Sequence, residues 1–312
     1  MELSYCKKKQ VSTRFKPVYK MKTQNYIFEE EIGYGSFSNV YKIFNKDDKK
    51  HYAIKVIKNN TKIKALSLNE INILKHIRKN DKITEMIETF YINNHLCIVF
   101  QLYNINLREF IETHTHLNDS KKISLCSDIV KAIDFIHSNS IIHRDVKPDN
   151  IVFKDSTFNT IVLIDFSFST KSNQQLNIYN YSLQTISYRA PEVYFKYKCN
   201  FGLDIWSLGC VMYEIMYETI LFQHCKTNID LFIKHNIILG PPKFIKTLPS
   251  ELKTMYDSLD EPIFIKYNTI HPFKHELFIN NHLHKHSVFK IIIKCLEWTC
   301  EERPKASDIK II

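Results

Sequence analysis

No apolar run in the chain approaches the roughly 18 residues from which a membrane-spanning helix is read. A secretory leader is not expected either, because Lys7, Lys8 and Lys9 are followed by no apolar core. The eight cysteines include no CxxC pair and no His/Cys pattern at zinc-site spacing, so neither a disulfide nor a metal framework is expected. Cys97, Cys210 and Cys295 each lie in an apolar stretch, where a reduced, packed thiol is the expectation. Glycine is scarce, five residues in 312, and neither an internal repeat nor a long low-complexity segment is present. The expectation these exclusions leave is an intracellular globular protein, with 44% hydrophobic residues to build a core and 24% charged residues to solvate it. Its length allows one large two-lobed domain or two modest ones.

Charge is unevenly spread. The net charge is +10, and residues 1–25 carry Lys7, Lys8, Lys9, Arg14, Lys16, Lys20 and Lys22 against the single Glu2. Such a tail could contact nucleic acid, an anionic surface or an import receptor. A solvated, flexible leader with no such contact is the favoured expectation.

From Tyr26 the pattern changes to short β-rich runs at Tyr26–Ile32, Val40–Phe44, His51–Ile57 and Leu96–Phe100. Between the third and fourth, Ala65–Ile77 places Leu66, Leu68, Ile71, Leu74 and Ile77 near helical spacing. Beyond Tyr103 the character is mainly helical, over Leu107–Thr113, Lys121–His137, Leu203–Tyr217 and Val288–Trp298. A small sheet-plus-helix unit followed by a larger helical one predicts an α+β protein with a cleft between two lobes. The expected division is a tail at 1–25, a first lobe at 26–102 and a second at 103–312.

Several residues in this frame carry chemistry. Gly33 and Gly35, within Ile32-Gly33-Tyr34-Gly35-Ser36-Phe37-Ser38-Asn39-Val40, let backbone approach a phosphate without a Cβ in the way. A GxG hairpin by itself is equally an ordinary turn. Here it precedes Tyr52-Ala53-Ile54-Lys55-Val56, whose lysine stands among β-branched neighbours. The Lys55 ammonium could neutralise phosphate oxygens if a carboxylate fixed it, and Glu70 on the following helix is the candidate. Alone, Glu70 would read as part of a solvated helix face.

The segment Ile142-His143-Arg144-Asp145-Val146-Lys147-Pro148-Asp149-Asn150-Ile151 is followed fifteen residues after Asn150 by Asp165-Phe166. Asn150 and Asp165 offer the oxygen ligands that Mg²⁺ prefers. Asp145 can orient a substrate hydroxyl and accept its proton, while Lys147 offsets charge on a transferring phosphoryl group. With Ala190-Pro191-Glu192, Asp204-Ile205-Trp206-Ser207-Leu208-Gly209 and Arg303, the order and spacing resemble the eukaryotic protein-kinase family from about Tyr26 to Ile312.

The resemblance implies a two-lobed protein kinase fold, ATP as phosphate donor, Mg²⁺ as cofactor and proteins as substrates. By position, Lys55 would contact the α- and β-phosphates and pair with Glu70; Asp145 would be the base, and Asn150 and Asp165 the metal ligands. Ile32, Gly33, Gly35, Val40 and Ala53 would line the nucleotide, Phe100 would be the gatekeeper, and the backbone of Gln101 and Tyr103 would read adenine. Asn106 could reach the ribose. Glu192 and Arg303 resemble the family's structural ion pair. Lys147, two residues after the base, and Thr185, which would brace Asp145 and Lys147, resemble serine/threonine rather than tyrosine kinases.

Two family glycines are replaced, by Ser38 and by Ser167, and the latter predicts a stiffer start to the activation segment. Lys55, Asp145 and Asp165 are all retained, so activity is expected over a nucleotide-binding pseudokinase scaffold. Tyr188-Arg189-Ala190-Pro191-Glu192 and Leu239-Gly240-Pro241-Pro242 resemble the CMGC group. Within it, Lys55–Asn59, Cys97–Phe100, Phe135–Asn139 and Leu221–Gln223 look most like the CLK/LAMMER and DYRK kinases. Arg144 and Phe232–Ile237 fit the LAMMER pattern poorly. A CLK/LAMMER likeness would imply Arg/Ser-rich splicing factors as substrates and the nucleus as location; another CMGC enzyme, proline-directed or cell-cycle, is the alternative. Asp149 stands where a substrate arginine is often accepted, though a solvated loop carboxylate accounts for it equally. Tyr181 and Ser182 are candidate phosphorylation sites that Arg144 could clamp. A monomer is expected.

Overall fold

The structure is a computed structural model, and it describes residues 25–173, 184–197, 200–240, 242 and 287–311. The basic tail through residue 24 and the candidate phosphosites Tyr181 and Ser182 lie outside the described residues, as does most of the stretch before Val288. Among the described residues no helix is long and apolar enough to cross a membrane.

Two compact units divide the chain, one reaching Lys64 and resuming over Met86–Leu102, the other comprising Ala65–Glu85 and everything from Tyr103. Ala65–Glu85 is thus grouped with the helical unit.

The first unit is one antiparallel sheet of β1 (Tyr26–Tyr34), β2 (Ser38–Asn45), β3 (His51–Ile57), β4 (Met86–Ile92) and β5 (His95–Gln101), ordered β1-β2-β3-β5-β4. Alternation over Tyr52–Val56 of β3 buries Tyr52, Ile54 and Val56 on one face, against Tyr41, Ile43, Cys97 and Val99. The register sets Val40 and Ile98 opposite Lys55, and Phe100 opposite Ala53, so these five share the other face. β4 is an edge strand with little alternation in Met-Ile-Glu-Thr-Phe-Tyr-Ile, which is why periodicity does not reveal it. It is pinned where the Tyr26 hydroxyl donates to Glu88 and the Tyr26 ring stacks on Phe90 at 6.0 Å. Burial pushes the Cys97 thiol up to about 12, so it stays protonated.

Helix α1 (Thr61–His76) begins four residues earlier than its apolar stripe suggests, because Asn60 Oδ1 accepts from the amides of Lys62 and Ile63 at 2.9 and 3.2 Å. Ile71, Ile73 and Ile77 are buried, whereas Leu68, expected on the packed stripe, is exposed.

The second unit is built around α2 (Leu107–Thr113), α3 (Asp119–Ser138), α4 (Pro191–Tyr194), α5 (Gly202–Tyr217), α6 (Asn228–Leu239) and α7 (Ser287–Cys295). Between α3 and α4 run the short pairs β6 (Ile141–Ile142) with β9 (Thr170–Lys171), and β7 (Ile151–Phe153) with β8 (Ile161–Leu163). Asn118 caps α3 by accepting from Lys121 N at 2.8 Å, and the stripe Leu125, Ile129, Ile133, Ile136 packs inward. Helix α5 is buried on all sides, with Trp206 inaccessible. Gly209 lets α5 and α7 approach closely, since a Cβ there would fall 2.8 Å from that of Cys295.

Helix α6 covers Phe232–Ile237, the residues that fit the LAMMER pattern poorly. Its signal is a capping box: Thr227 Oγ1 accepts from Asp230 N at 3.1 Å, and Asp230 Oδ2 accepts from Thr227 N at 2.9 Å. Helix α7 stops at Cys295, three residues short of the expected Trp298.

Candidate active site

The segment between β6 and β7 is anchored by neighbours within the helical unit. Asp204, in the first turn of α5, is fully buried and accepts from His143 N at 2.7 Å, Arg144 N at 2.8 Å and His137 Nε2 at 2.9 Å. Burial alone would raise its carboxyl, but the His137 hydrogen bond and the two histidines together hold it below the usual carboxylate range. These bonds let Arg144 keep a left-handed backbone, φ 70°, which a branched or bulky residue adopts only when its surroundings impose it. His143 Nδ1 accepts from Asp145 N at 3.3 Å, which leaves Nε2 as the donor to Ile164 O at 3.0 Å. The imidazole thus ties the Asp145 segment to the residue preceding Asp165.

Asp145 is 5% exposed and gripped through both carboxylate oxygens. Oδ2 receives Lys147 Nζ at 2.8 Å and Asn150 Nδ2 at 3.1 Å. Oδ1 receives Thr185 N at 3.1 Å and Thr185 Oγ1 at 3.3 Å, while Lys147 Nζ donates to Thr185 Oγ1 at 2.8 Å. Thr185 thus braces Asp145 and Lys147 as expected, and Asn150 joins them, in a geometry that fixes the carboxylate. Gln184, which the sequence analysis passed over, supports Thr185 by donating to Ser207 Oγ at 2.7 Å and accepting from Ala190 N at 2.8 Å.

Asp165 also has a left-handed φ of 63°. Ser167 does not, so the replaced glycine is not needed here for its backbone freedom. The serine instead adds a hydroxyl lying 2.7 Å from Asp165 Oδ1 and 2.9 Å from Glu70 Oε2, while Glu70 Oε1 accepts from Phe166 N at 3.2 Å. One proton serves either carboxylate, linking the two more directly than glycine could. Ser167→Ala is expected to raise the Mg²⁺ concentration for half-maximal activity several-fold, consistent with losing a hydrogen bond to a charged group worth about 1.5–3 kcal/mol. A metal titration of turnover that is unchanged by the substitution would contradict this.

In the sheet unit, Val40, Ala53, Lys55 and Phe100 share one face, as the register requires. Gly33 pairs with Val40, and Ile32 beside it is half exposed. A Cβ at Gly33 would meet Val40 at 3.4 Å and one at Gly35 would meet Ser38 O at 3.8 Å, both ordinary contacts, and neither glycine has a positive φ. The fold itself does not demand glycine at either position. Gln101 ends β5, and the Tyr103 hydroxyl accepts from Glu85 N at 3.0 Å. Asn106 caps α2, its Oδ1 accepting from Glu109 N at 2.8 Å, which leaves its Nδ2 and one Oδ1 lone pair for the ribose contact expected of it. Asp149, the candidate acceptor of a substrate arginine, faces the chain's own Arg108 at 3.5 Å.

The donors suit magnesium. Asn150 uses Nδ2 for both its hydrogen bonds, to Asp145 O at 2.9 Å and Oδ2 at 3.1 Å, which turns its oxygen end outward. Asp165 supplies a second hard oxygen. Among the described residues no group of three or more His, Cys, Asp or Glu could hold a metal ion. An oxygen pair completed by phosphates and water is the usual arrangement for Mg²⁺, which seldom sits in an all-protein cage.

The ion pair expected of Glu192 and Arg303 forms as two parallel bonds, Nη1–Oε1 at 2.7 Å and Nη2–Oε2 at 2.8 Å, with both side chains buried.

The chain is 31% identical over 284 residues to dual specificity tyrosine-phosphorylation-regulated kinase 2 of Drosophila melanogaster, covering 88% of this chain and 39% of that protein. It is 33% identical over 223 residues to dual specificity tyrosine-phosphorylation-regulated kinase 3 of Homo sapiens, covering 69% of this chain and 37% of that protein. It thus spans well under half the length of these curated relatives. A crystal structure of a kinase domain superposes with a TM-score of 0.77 at 22% identity, covering 92% of this chain and 94% of the other, a likeness of fold. The protein kinase domain family matches residues 26–311. Fold, motif order and family match coincide over the same residues, and the chain belongs to the protein kinase domain family.

Proposed function

We propose that this chain is an active protein kinase of the dual-specificity, tyrosine-phosphorylation-regulated type, transferring the γ-phosphoryl group of ATP to serine and threonine hydroxyls of proteins. The observation that carries this is the Asp145 carboxylate, fixed by Lys147, Asn150 and Thr185 at the distances given above. A substrate hydroxyl hydrogen-bonded to Asp145 is aimed at the γ-phosphorus and surrenders its proton to that carboxylate as the new P–O bond forms. The bond from γ-phosphorus to the bridging oxygen breaks, and ADP leaves with the electron pair. Lys147 offsets charge on the transferring group. Lys55 is the cation for the α- and β-phosphates, and Gly33 and Gly35, which the fold does not require, admit phosphate close to backbone. Magnesium held by Asn150 and Asp165 would supply positive charge to the phosphate oxygens.

Serine and threonine preference is supported by the Lys147–Thr185 bond at 2.8 Å. The regulatory type is supported by the relatives reported above, and Tyr181 or Ser182 is the residue whose phosphorylation would raise activity. The alternative with CLK/LAMMER character, Arg/Ser-rich substrates and a nuclear site of action rests on the short sequence segments quoted above. It needs a carboxylate open to substrate arginine, and Asp149 already faces Arg108.

Radiolabelled transfer to peptides carrying serine, threonine or tyrosine in one shared context, with phosphoamino-acid analysis of the enzyme itself, tests the proposal. Serine and threonine peptides should be labelled in trans and tyrosine only within the enzyme. Nucleotide binding without transfer to any acceptor would favour a pseudokinase scaffold.

A further inference from the structure

The hairpin between β1 and β2 has little packing at its tip. Tyr34 ends β1, Ser38 begins β2, and Gly35, Ser36 and Phe37 join them, with Gly35 N donating to Ser38 O at 3.0 Å. Tyr34 is 72% exposed and Phe37 37%, and neither belongs to the buried apolar cluster of the sheet. A tip with so little burial opens at small cost, so its shape depends on the polar contacts that hold it.

Lys58 supplies three of these. It is the first residue after β3, and its amide donates to Phe37 O at 3.0 Å, carrying the β2–β3 pairing one step further. Its Nζ donates to Gly35 O at 2.6 Å and lies 4.4 Å from the centre of the Tyr34 ring. The Lys58 carbonyl accepts from Asn60 N at 2.8 Å, and Asn60 caps α1, so the base of the lysine side chain is fixed. One residue therefore grips Tyr34, Gly35 and Phe37.

The bond to Gly35 O also orients a dipole. A trans peptide is planar, with its C=O and N–H pointing opposite ways, so turning Gly35 O toward Lys58 turns Ser36 N–H away from it. Backbone binds an anion through N–H groups, and a carbonyl aimed at phosphate repels it. Glycine constrains the peptide that follows it very little, so this orientation has to be imposed from outside. The Lys58 ammonium imposes it.

We propose that Lys58 is a positioning residue for the nucleotide phosphates: it latches the glycine hairpin through Gly35 O and the Tyr34 ring, and so keeps the Ser36 amide available to the anion. This rests on the kinase function proposed above, in which the hairpin admits phosphate close to backbone. Lys58 acts through the hairpin, whereas Lys55 is the cation for the phosphates themselves.

The test is equilibrium binding of Mg²⁺–ATP and of adenosine to the full chain, with KM and kcat measured alongside. Adenosine has no phosphate, so a phosphate-positioning residue affects one ligand and not the other. Lys58→Met keeps the stem and removes the donor; it should weaken ATP binding about five- to tenfold while adenosine stays within about twofold of the parent. The KM for ATP should rise in step and kcat change less than about twofold, the pattern of lost uniform binding. Lys58→Arg retains a cation that donates and stacks on the ring, and should bring ATP affinity back to within about twofold. Tyr34→Ala, at an exposed side chain, should weaken ATP binding about two- to fivefold with adenosine unchanged, which decides the matter even if Lys58→Met fails to fold. Unchanged ATP affinity in these variants would overturn the proposal, as would equal losses of ATP and adenosine affinity or no recovery in Lys58→Arg. A parent that binds no Mg²⁺–ATP would instead overturn the kinase function on which the proposal rests.

Discussion

Asp145→Asn is expected to lower the phosphate-transfer rate by about 10²–10⁴-fold, the usual contribution of a positioned general base, while nucleotide binding persists. The carboxylate does two things that the amide does not. It accepts a proton as the substrate hydroxyl attacks, and it accepts hydrogen bonds on both oxygens, from Thr185 on one and from Lys147 and Asn150 on the other. An amide keeps one acceptor and turns an NH₂ toward Lys147 and Asn150, both of which are donors. The rate should fall with little change in the affinity for ATP, because Asp145 touches the acceptor side of the reaction. Single-turnover transfer, measured alongside nucleotide binding, separates the two. Undiminished transfer by the variant would remove Asp145 as base. Equal loss of binding and transfer would show that the substitution disordered the segment, and Asp145→Ala would then discriminate, since it removes the base without adding a donor.

The second large effect is on stability. Arg303→Ala is expected to destabilise the protein by about 3–5 kcal/mol, because it leaves the Glu192 carboxylate buried without its partner. Arg303 does more than pair. Its Nε donates to Glu297 O at 2.8 Å, Nη1 to Gly202 O at 2.8 Å and Nη2 to Trp298 O at 3.2 Å, and the guanidinium lies 5.0 Å from the Trp206 ring. One side chain thus binds α4, the start of α5 and the segment after α7. At roughly 2–4 °C per kcal/mol, the melting temperature should drop by about 6–20 °C. Glu192→Gln should cost less, since the amide keeps one acceptor for the fork. The double replacement Glu192→Met/Arg303→Met should recover part of the loss, as exchanging both members of a buried pair for apolar groups often does. Thermal unfolding of the three variants checks this order. A melting temperature for Arg303→Ala within a degree or two of the parent would show that the pair is not a structural element.

Much of this was legible from residue order. Lys55 sits between Val40 and Ile98 because β-branched alternation defines β3 and its neighbours, and period two leaves no choice of face. Asp145, Lys147 and Asn150 lie close together in the chain, so their convergence needs only one turn over Pro148–Asn150. Other elements were not legible. β4 hid because an edge strand packs on little and need not alternate. Helix α6 is marked in the sequence by the Thr227–Asp230 capping box and by no family motif. The functions of Asp204, Gln184 and Arg108 depend on partners far away in the chain. His143 and Asp204 are 61 residues apart, and Arg108 and Glu214 are 106 apart.

By themselves the residues determined the chemistry available: a lysine in a strand, a carboxylate with an amide and a lysine close by, two glycines in a hairpin, and an acid and an arginine to bury together. Their spacing also determined the strands and most of the helices, since hydrophobic period is a local property. Only the tertiary structure decided which polar groups meet. Ser167 became a bridge to Glu70, and Arg108 the partner of Glu214. The physical reason is that a hydrogen bond forms within about 3 Å and at a restricted angle, and that distance is set by how whole helices pack, not by the residues on either side of the donor.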